Sequence, residues 1–310
     1  MNGVAVGEKV VNGKVADGIV AGPAPVDAVV PRVSSRTAWI LLAVAVAAAL
    51  ALYAPVVVGM AHEWSEFPSL SHGFAVPLIS GYLLWRRRDS LAQAPIQGSL
   101  VGIPVIALAL VMLVIGSLGG EPFVARLSLP IVLLGTLLFL MGGSVTRRAW
   151  VAIGYLAFMI PLPYLTLKAL TYQSRLFDAG ITAQALGWLG VPVLRDGVML
   201  YLPNMTLEVA DDCSSVPAIA ALLALGAAYA QMQVRPTWIR AFLTVAAAPL
   251  GLLSNIIRLI VTALGAYYFG PIALNNAIHK FNGTTVFLAT VVLLVVLDAM
   301  LARIWRRSSS

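Results

Sequence analysis

Apolar residues fall in long runs along most of this chain, and polar ones collect in the short gaps between them. A helix that crosses a bilayer needs about 20 consecutive apolar residues, with some latitude. Runs that qualify lie at 38–60, 72–85, 100–118, 127–143, 149–167, 214–230, 241–269 and 283–302. The pattern predicts an all-α polytopic membrane protein of about eight transmembrane helices. The second run is short unless it begins near Phe67, and in the long seventh run Pro249-Leu-Gly251 is expected to break or tilt the helix.

Two stretches fall outside this pattern. Residues 1–36 are rich in Gly, Val, Ala and Pro without a persistent period. They read as a flexible cytoplasmic tail, too long for the basic region of a cleaved signal peptide. The membrane domain is expected over 37–305, with a second cytoplasmic tail at 306–310. Between the fifth and sixth runs, residues 168–212 are more polar and predict an outer cap. Over 169–190, Leu170, Leu176, Ile181, Ala185 and Leu189 alternate with Gln173, Arg175, Asp178 and Gln184, which suits an amphipathic helix lying at the interface. Val193–Arg195, Val198–Leu202 and Met205–Val209 are β-prone and are punctuated by Asp196-Gly197 and Pro203-Asn204. They predict a small extracytoplasmic β-hairpin cap that leads directly into Asp211-Asp212-Cys213.

Charge orients the spans. With the N-terminus inside, Arg32, Arg36, Arg86, Arg87, Arg88, Arg147, Arg148, Arg235, Arg240, Arg303, Arg306 and Arg307 all fall at cytoplasmic span ends. Only Arg126, Lys168, Arg175, Arg195 and Lys280 fall opposite, where Glu63, Glu66, Glu121, Asp178, Asp196, Glu208, Asp211 and Asp212 collect. The positive-inside rule then places both termini in the cytoplasm. Composition agrees: 60% of the residues are hydrophobic and 11% charged, against about a quarter charged in soluble domains. The net charge of +7 is accounted for by these anchoring arginines, and no basic run is interleaved with aromatics as nucleic-acid sites require. A single cysteine excludes an intramolecular disulfide framework and a cysteine-based zinc site. No metal or cofactor is expected.

Candidate chemistry lies where polar residues are costly. Cys213 is either small packing filler or a nucleophile. Polar neighbours (Asp211, Asp212, Ser214 and Ser215) surround it, and it sits where the sixth span begins, where a helix N-terminus favours a thiolate. The two aspartates oppose that, so a positive group is needed nearby. Arg258 lies well inside the seventh span, where an arginine costs roughly 2.5–3.5 kcal/mol unless it faces a wet or paired interior. Asn255, three residues earlier on the same helix face, is placed to orient the guanidinium, to bind substrate backbone or to join two helices. His62, His72 and His279 all fall on the face that carries Cys213, and side-chain chemistry alone does not choose among them. A thiol, a permanently charged donor and an imidazole on one membrane face are the means for thiol acyl transfer.

These motifs resemble the exosortase/archaeosortase family of membrane cysteine enzymes over about residues 70–285. Four elements carry the resemblance. Ser71-His72-Gly73-Phe-Ala-Val-Pro77-Leu-Ile-Ser80-Gly-Tyr82-Leu-Leu-Trp85-Arg86 is similar to the family's early signature. Asp212-Cys213-Ser214 falls where the family carries its nucleophile, Asn255-Ile-Ile-Arg258 matches its Asn-x-x-Arg, and His279 falls where bacterial members carry a histidine. The flanks differ, because the family more often has Glu-Ala before the cysteine and Ser-Gly after it. The resemblance implies a bacterial inner-membrane protease or transpeptidase with Cys213, Arg258 and His279 as catalytic residues. Asn255, Asp212, Ser214 and His72 are its substrate-binding candidates. Its implied partners are membrane-anchored proteins that end in a short motif (Pro-Glu-Pro-like, as in PEP-CTERM signals), a transmembrane helix and a basic cluster, often alongside exopolysaccharide production. The active site is expected on the periplasmic face. Three other readings compete. In a membrane transporter Arg258 would bind an anionic substrate, and in an exopolysaccharide assembly or polymerisation component the 168–212 cap would bind glycan. A non-catalytic membrane scaffold would tolerate change at all three site residues. No internal repeat of the kind transporters carry is visible.

Overall fold

The structure, a computed structural model, describes residues 34–308, except for the side chains of Asp212, 273–274, 276–280 and 304–308. The expected tail at 1–36 therefore lies almost wholly outside the described residues.

Every apolar run forms helix, but not every run forms one span. The first half of the chain gives α1 (Ser35–Leu52), α2 (Ala54–Glu66), α3 (Ala75–Arg86), α4 (Arg88–Ala92), α5 (Gly102–Leu118), α6 (Pro122–Met141) and α7 (Gly143–Gly154). The second half gives α8 (Tyr164–Trp188), strands β1 (Leu194–Asp196), β2 (Met199–Tyr201) and β3 (Thr206–Glu208), then α9 (Ser215–Met232), α10 (Thr237–Phe269) and α11 (Asn276–Ser308). Among the described residues, five helices are long and apolar enough to cross a membrane, or six if a bent pair counts as one span. The sequence predicts eight.

The expected spans at 72–85, 100–118 and 149–167 fall short of a full crossing helix, α5 having only 17 residues. The 38–60 run gives a crossing helix, α1, that ends earlier than expected. The 38–60 run breaks at Tyr53, between α1 and α2. Pro55 has no N–H with which to continue the α1 ladder. The 72–85 run yields only the 12 residues of α3, behind a 3₁₀ turn over Pro68–Phe74. The 149–167 run ends as a 3₁₀ turn at Met159, and beyond Pro161 and Pro163 the chain turns by 75° into α8. In contrast, α10 runs unbroken through Pro249 for 33 residues, where the sequence predicts a break or a tilt. The reason lies two residues on. A Cβ at Gly251 would stand 2.8 Å from the Cα of Ile219. The absent side chain lets α9 and α10 pack backbone to backbone, and that packing holds the helix through the proline.

The protein's outer surface is apolar. Val44, Leu78, Ile115, Val245 and Val292 are all well exposed, as befits helices whose surroundings are hydrocarbon. The largest buried cluster joins Tyr53, Met60, Trp64, Val76, Leu83, Ala109, Leu129 and Tyr155. The two halves are stitched by hydrogen bonds from Tyr155 Oη to the Ala224 carbonyl (2.9 Å) and from Arg86 to the Met232 carbonyl (2.8 Å).

Over 194–208 the chain makes an antiparallel meander of three strands, one more than a hairpin. Leu200 faces Arg195 on one side and Leu207 on the other. Gly197, with φ of +59°, makes the tight β1–β2 turn. Asn204 pins the β2–β3 turn to the end of α10, its Nδ2 donating to the carbonyls of Ala266 (2.9 Å) and Tyr267 (3.2 Å).

Candidate active site

Cys213 ends a 3₁₀ turn over Asp211–Cys213 that joins β3 to α9. Its side chain is only 8% exposed and packs with Ala179, Leu200, Val209 and Leu259, contributed by α8, the sheet and α10. The thiol thus sits under the sheet, in the seam between α8 and α10.

The Asn-x-x-Arg spacing on α10 grips this one residue from two sides. Asn255 Nδ2 donates to the Cys213 carbonyl at 2.7 Å, and Arg258 Nη2 approaches Cys213 Sγ at 3.9 Å. Positions three apart share a helix face, which lets one turn of α10 hold both the backbone and the side chain of the cysteine. Two unit charges about 4 Å apart attract by roughly 4 kcal/mol at an effective dielectric of about 20, but by only about 1 kcal/mol in water. Burial of the seam decides which applies. The close approach of α11 also depends on a missing side chain, because a Cβ on Gly283 would lie 3.2 Å from Arg258 Nε. Asn282 locks the same contact, donating to the Arg258 carbonyl (3.2 Å) and to Thr262 Oγ1 (2.9 Å).

Asp178 organises the site, although the sequence places it only among the outer acids and on the polar face of the 169–190 helix. It is fully buried on α8 and accepts from four donors: Ser215 N (2.8 Å), Ser215 Oγ (2.6 Å), Ser174 Oγ (3.2 Å) and Asn255 Nδ2 (3.1 Å). A carboxylate at the first amide of α9 satisfies a donor that has no partner within the helix and complements the dipole. The positive end of α9 is therefore answered by Asp178, and the cation beside the thiol is Arg258. Arg175, one turn earlier on α8, clips the cysteine turn to the sheet. It donates to Asp211 Oδ1 (2.7 Å), to Glu208 Oε1 (2.8 Å) and to the Val209 carbonyl. Asp211 is thereby turned toward Arg175. An open cavity of about 400 Å³ adjoins this clip, lined by Leu165, Lys168, Ala169, Tyr172, Arg175 and Asp211.

The other sequence candidates are placed unequally. Ser214 is buried beside the thiol, and its Oγ has no hydrogen-bond partner among the described residues. His279 lies in the first turn of α11, four residues before Gly283 and so on one helix face with it. Its side chain, like that of Asp212, is outside the described residues. His72 sits in the 3₁₀ turn before α3, where its neighbours are the backbone of Ser69 and Phe158 rather than any group of the Cys213 cluster. No group of three or more His, Cys, Asp or Glu side chains that could hold a metal occurs among the described residues.

Fold and site together define a helical membrane protein with one buried thiol held against an arginine at one end of the bundle. The chain belongs to the transmembrane exosortase family (Exosortase_EpsH), whose profile matches residues 64–296. That match runs from the end of α2 into α11 and includes Cys213 and every residue described as packed or hydrogen-bonded around it. No curated protein and no solved structure matches the chain.

Proposed function

We propose that this exosortase-family protein is a membrane-embedded cysteine protease or transpeptidase acting on exported proteins that carry a C-terminal sorting signal. The observation that carries the reading is the double grip of Asn255 and Arg258 on Cys213. A packing cysteine has no need of a guanidinium drawn into an apolar helix, where an unpaired one is costly.

In this reading the sheet end faces outward and the arginine-rich end faces the cytoplasm, in line with the positive-inside rule. The substrate's terminal helix lies in the bilayer against the bundle, and its motif reaches the cavity beside Arg175 and Asp211. The Cys213 thiol gives its proton to His279, and the thiolate attacks the scissile carbonyl carbon. Arg258 stabilises the thiolate and then the oxyanion of the tetrahedral adduct, with the open Ser214 hydroxyl as a second donor. The adduct collapses to a thioester as the C–N bond breaks, and His279 returns the proton to the departing amine. Water or an amine acceptor then attacks the thioester and frees the thiol. Asn255 fixes the Cys213 backbone throughout, and Asp178 fixes Asn255.

The test is co-expression with a tagged reporter that ends in motif, transmembrane helix and basic cluster, comparing wild type with Cys213→Ala. A size shift that needs Cys213 supports the reading. Processing that survives in a membrane-inserted Cys213→Ala protein sinks it.

A further inference from the structure

Guanidinium groups from several elements gather at the end of the bundle away from Cys213. Arg86 closes α3 and donates to the Met232 carbonyl at the end of α9. Arg87, half-buried between α3 and α4, donates to the Arg148 carbonyl at 2.7 Å. Arg240, in the first turns of α10, donates to Gln231 Oε1 (3.3 Å) and Thr237 Oγ1 (3.4 Å). Its Nε is buried with no hydrogen-bond partner among the described residues. Met232 and Gln231, the acceptors of Arg86 and Arg240, are adjacent at the end of α9, and Arg87 directly follows Arg86, so the three cations meet at one helix end. Burial, and then the charges of Arg240 and Arg86, push Arg87 below the usual arginine range. The ion pairs of the described residues use other arginines: Arg88, Arg126, Arg175 and Arg235.

A basic residue that only obeys the positive-inside rule needs no more than solvation. Here the fold instead converges three like charges, half-buries two of them and seals one nitrogen, with no carboxylate among the described residues to answer them. Such an arrangement calls for an exchangeable anion.

Exposed tryptophans neighbour these arginines in the chain and indicate where that anion comes from. Trp85, Trp150 and Trp238 are 58%, 56% and 58% exposed, and each lies within two residues of Arg86, Arg148 or Arg240 in sequence. Tyr82 packs on Trp85, and the Arg88 guanidinium lies 4.6 Å above the Trp85 ring. Exposed indoles beside cations settle at the headgroup level of a bilayer. The 18 residues of α9 span the distance from the cysteine turn to these arginines, about 27 Å, close to the roughly 30 Å of a hydrocarbon core.

We propose that Arg86, Arg87 and Arg240, neighboured in the chain by Trp85 and Trp238, form a binding site for the phosphate of an anionic phospholipid headgroup. Arg148 orients Arg87 through its carbonyl. The site is independent of the chemistry proposed at Cys213.

Native mass spectrometry of the full-length protein, titrated in detergent with phosphatidylglycerol or phosphatidylcholine, tests this. Wild type is expected to retain phosphatidylglycerol preferentially. Arg87→Gln and Arg240→Gln should each weaken that retention about fivefold, while Arg303→Gln, an exposed arginine on α11, should not. Equal retention of the two lipids by wild type overturns the proposal even where a variant fails to fold. Equal losses in Arg303→Gln and Arg240→Gln overturn it as well, by showing a diffuse charge effect. Displacement of the lipid by millimolar inorganic phosphate, without headgroup preference, overturns the lipid source in favour of a free anion.

Discussion

The two ends of the α9–α10 pair handle charge in opposite ways. At the sheet end, Asp178 meets four donors of the chain and Arg175 meets three acceptors, so the groups around Cys213 are fixed by one another. At the other end, Arg86 and Arg87 rest on backbone carbonyls and Arg240 on neutral side chains. A closed network holds its members to a single geometry, as chemistry on a carbonyl requires. An open one leaves positive charge available to whatever the surroundings supply. In the proposed reading the same helices support a preorganised site and an exchangeable one, about one hydrocarbon thickness apart.

Substitutions can break or sharpen this contrast. The largest effect is expected at Arg258. Arg258→Ala should reduce reporter processing about 10²–10³-fold, the usual loss when a preorganised oxyanion donor is removed, with the protein still inserted. Next comes Asp178→Asn, which keeps the shape but turns an acceptor of the Ser215 and Asn255 donors into a partial donor. Misplacing the cysteine turn in this way should reduce processing by up to about 10²-fold. Gly251→Ala probes packing rather than chemistry. Its Cβ meets backbone at 2.8 Å, and overpacking of that kind typically costs about 1–3 kcal/mol, readable as a lowered melting temperature in detergent. The smallest effect is expected at the arginine end: Arg87→Gln should leave processing within about twofold of wild type while altering lipid retention. A large loss of processing in Arg87→Gln would erase the contrast.

How much of this was legible in the sequence follows from which solvent each residue faces. Arg258 and Asn255 could be read because charge and amide inside an apolar run are costly, and spacing alone placed them on one face. Cys213 could be read from its polar flanks. Asp178 could not, because α8 is an amphipathic helix turned inside out. Thr171, Asp178 and Thr182 are buried against the protein, while Leu165, Phe177 and Trp188 point outward. An apolar stripe usually marks the inner face of a helix, but beside a bilayer it marks the outer one. The polar stripe at 171, 174, 178 and 182 was the available signal. The structure gives five or six crossing helices where the sequence predicts eight for a related reason: hydropathy registers apolar length but not the 3₁₀ turn before α3 or the breaks at Pro161 and Pro163, which leave shorter helices. Gly283 carried no sequence signal and Gly251 suggested a break, since the role of both is to permit close contact between segments distant in the chain.

The central claim is that Arg258 makes the single thiol a nucleophile. The most direct measurement is the rate of alkylation at Cys213 by iodoacetamide, followed by intact mass on the membrane-inserted protein, in wild type, Arg258→Lys and Arg258→Gln. At neutral pH the account predicts alkylation about tenfold slower in Arg258→Gln, with Arg258→Lys between, and the difference should vanish above about pH 9, where a free thiol ionises unaided. Equal rates in all three proteins at neutral pH would contradict it and leave Cys213 as a packing residue under the sheet.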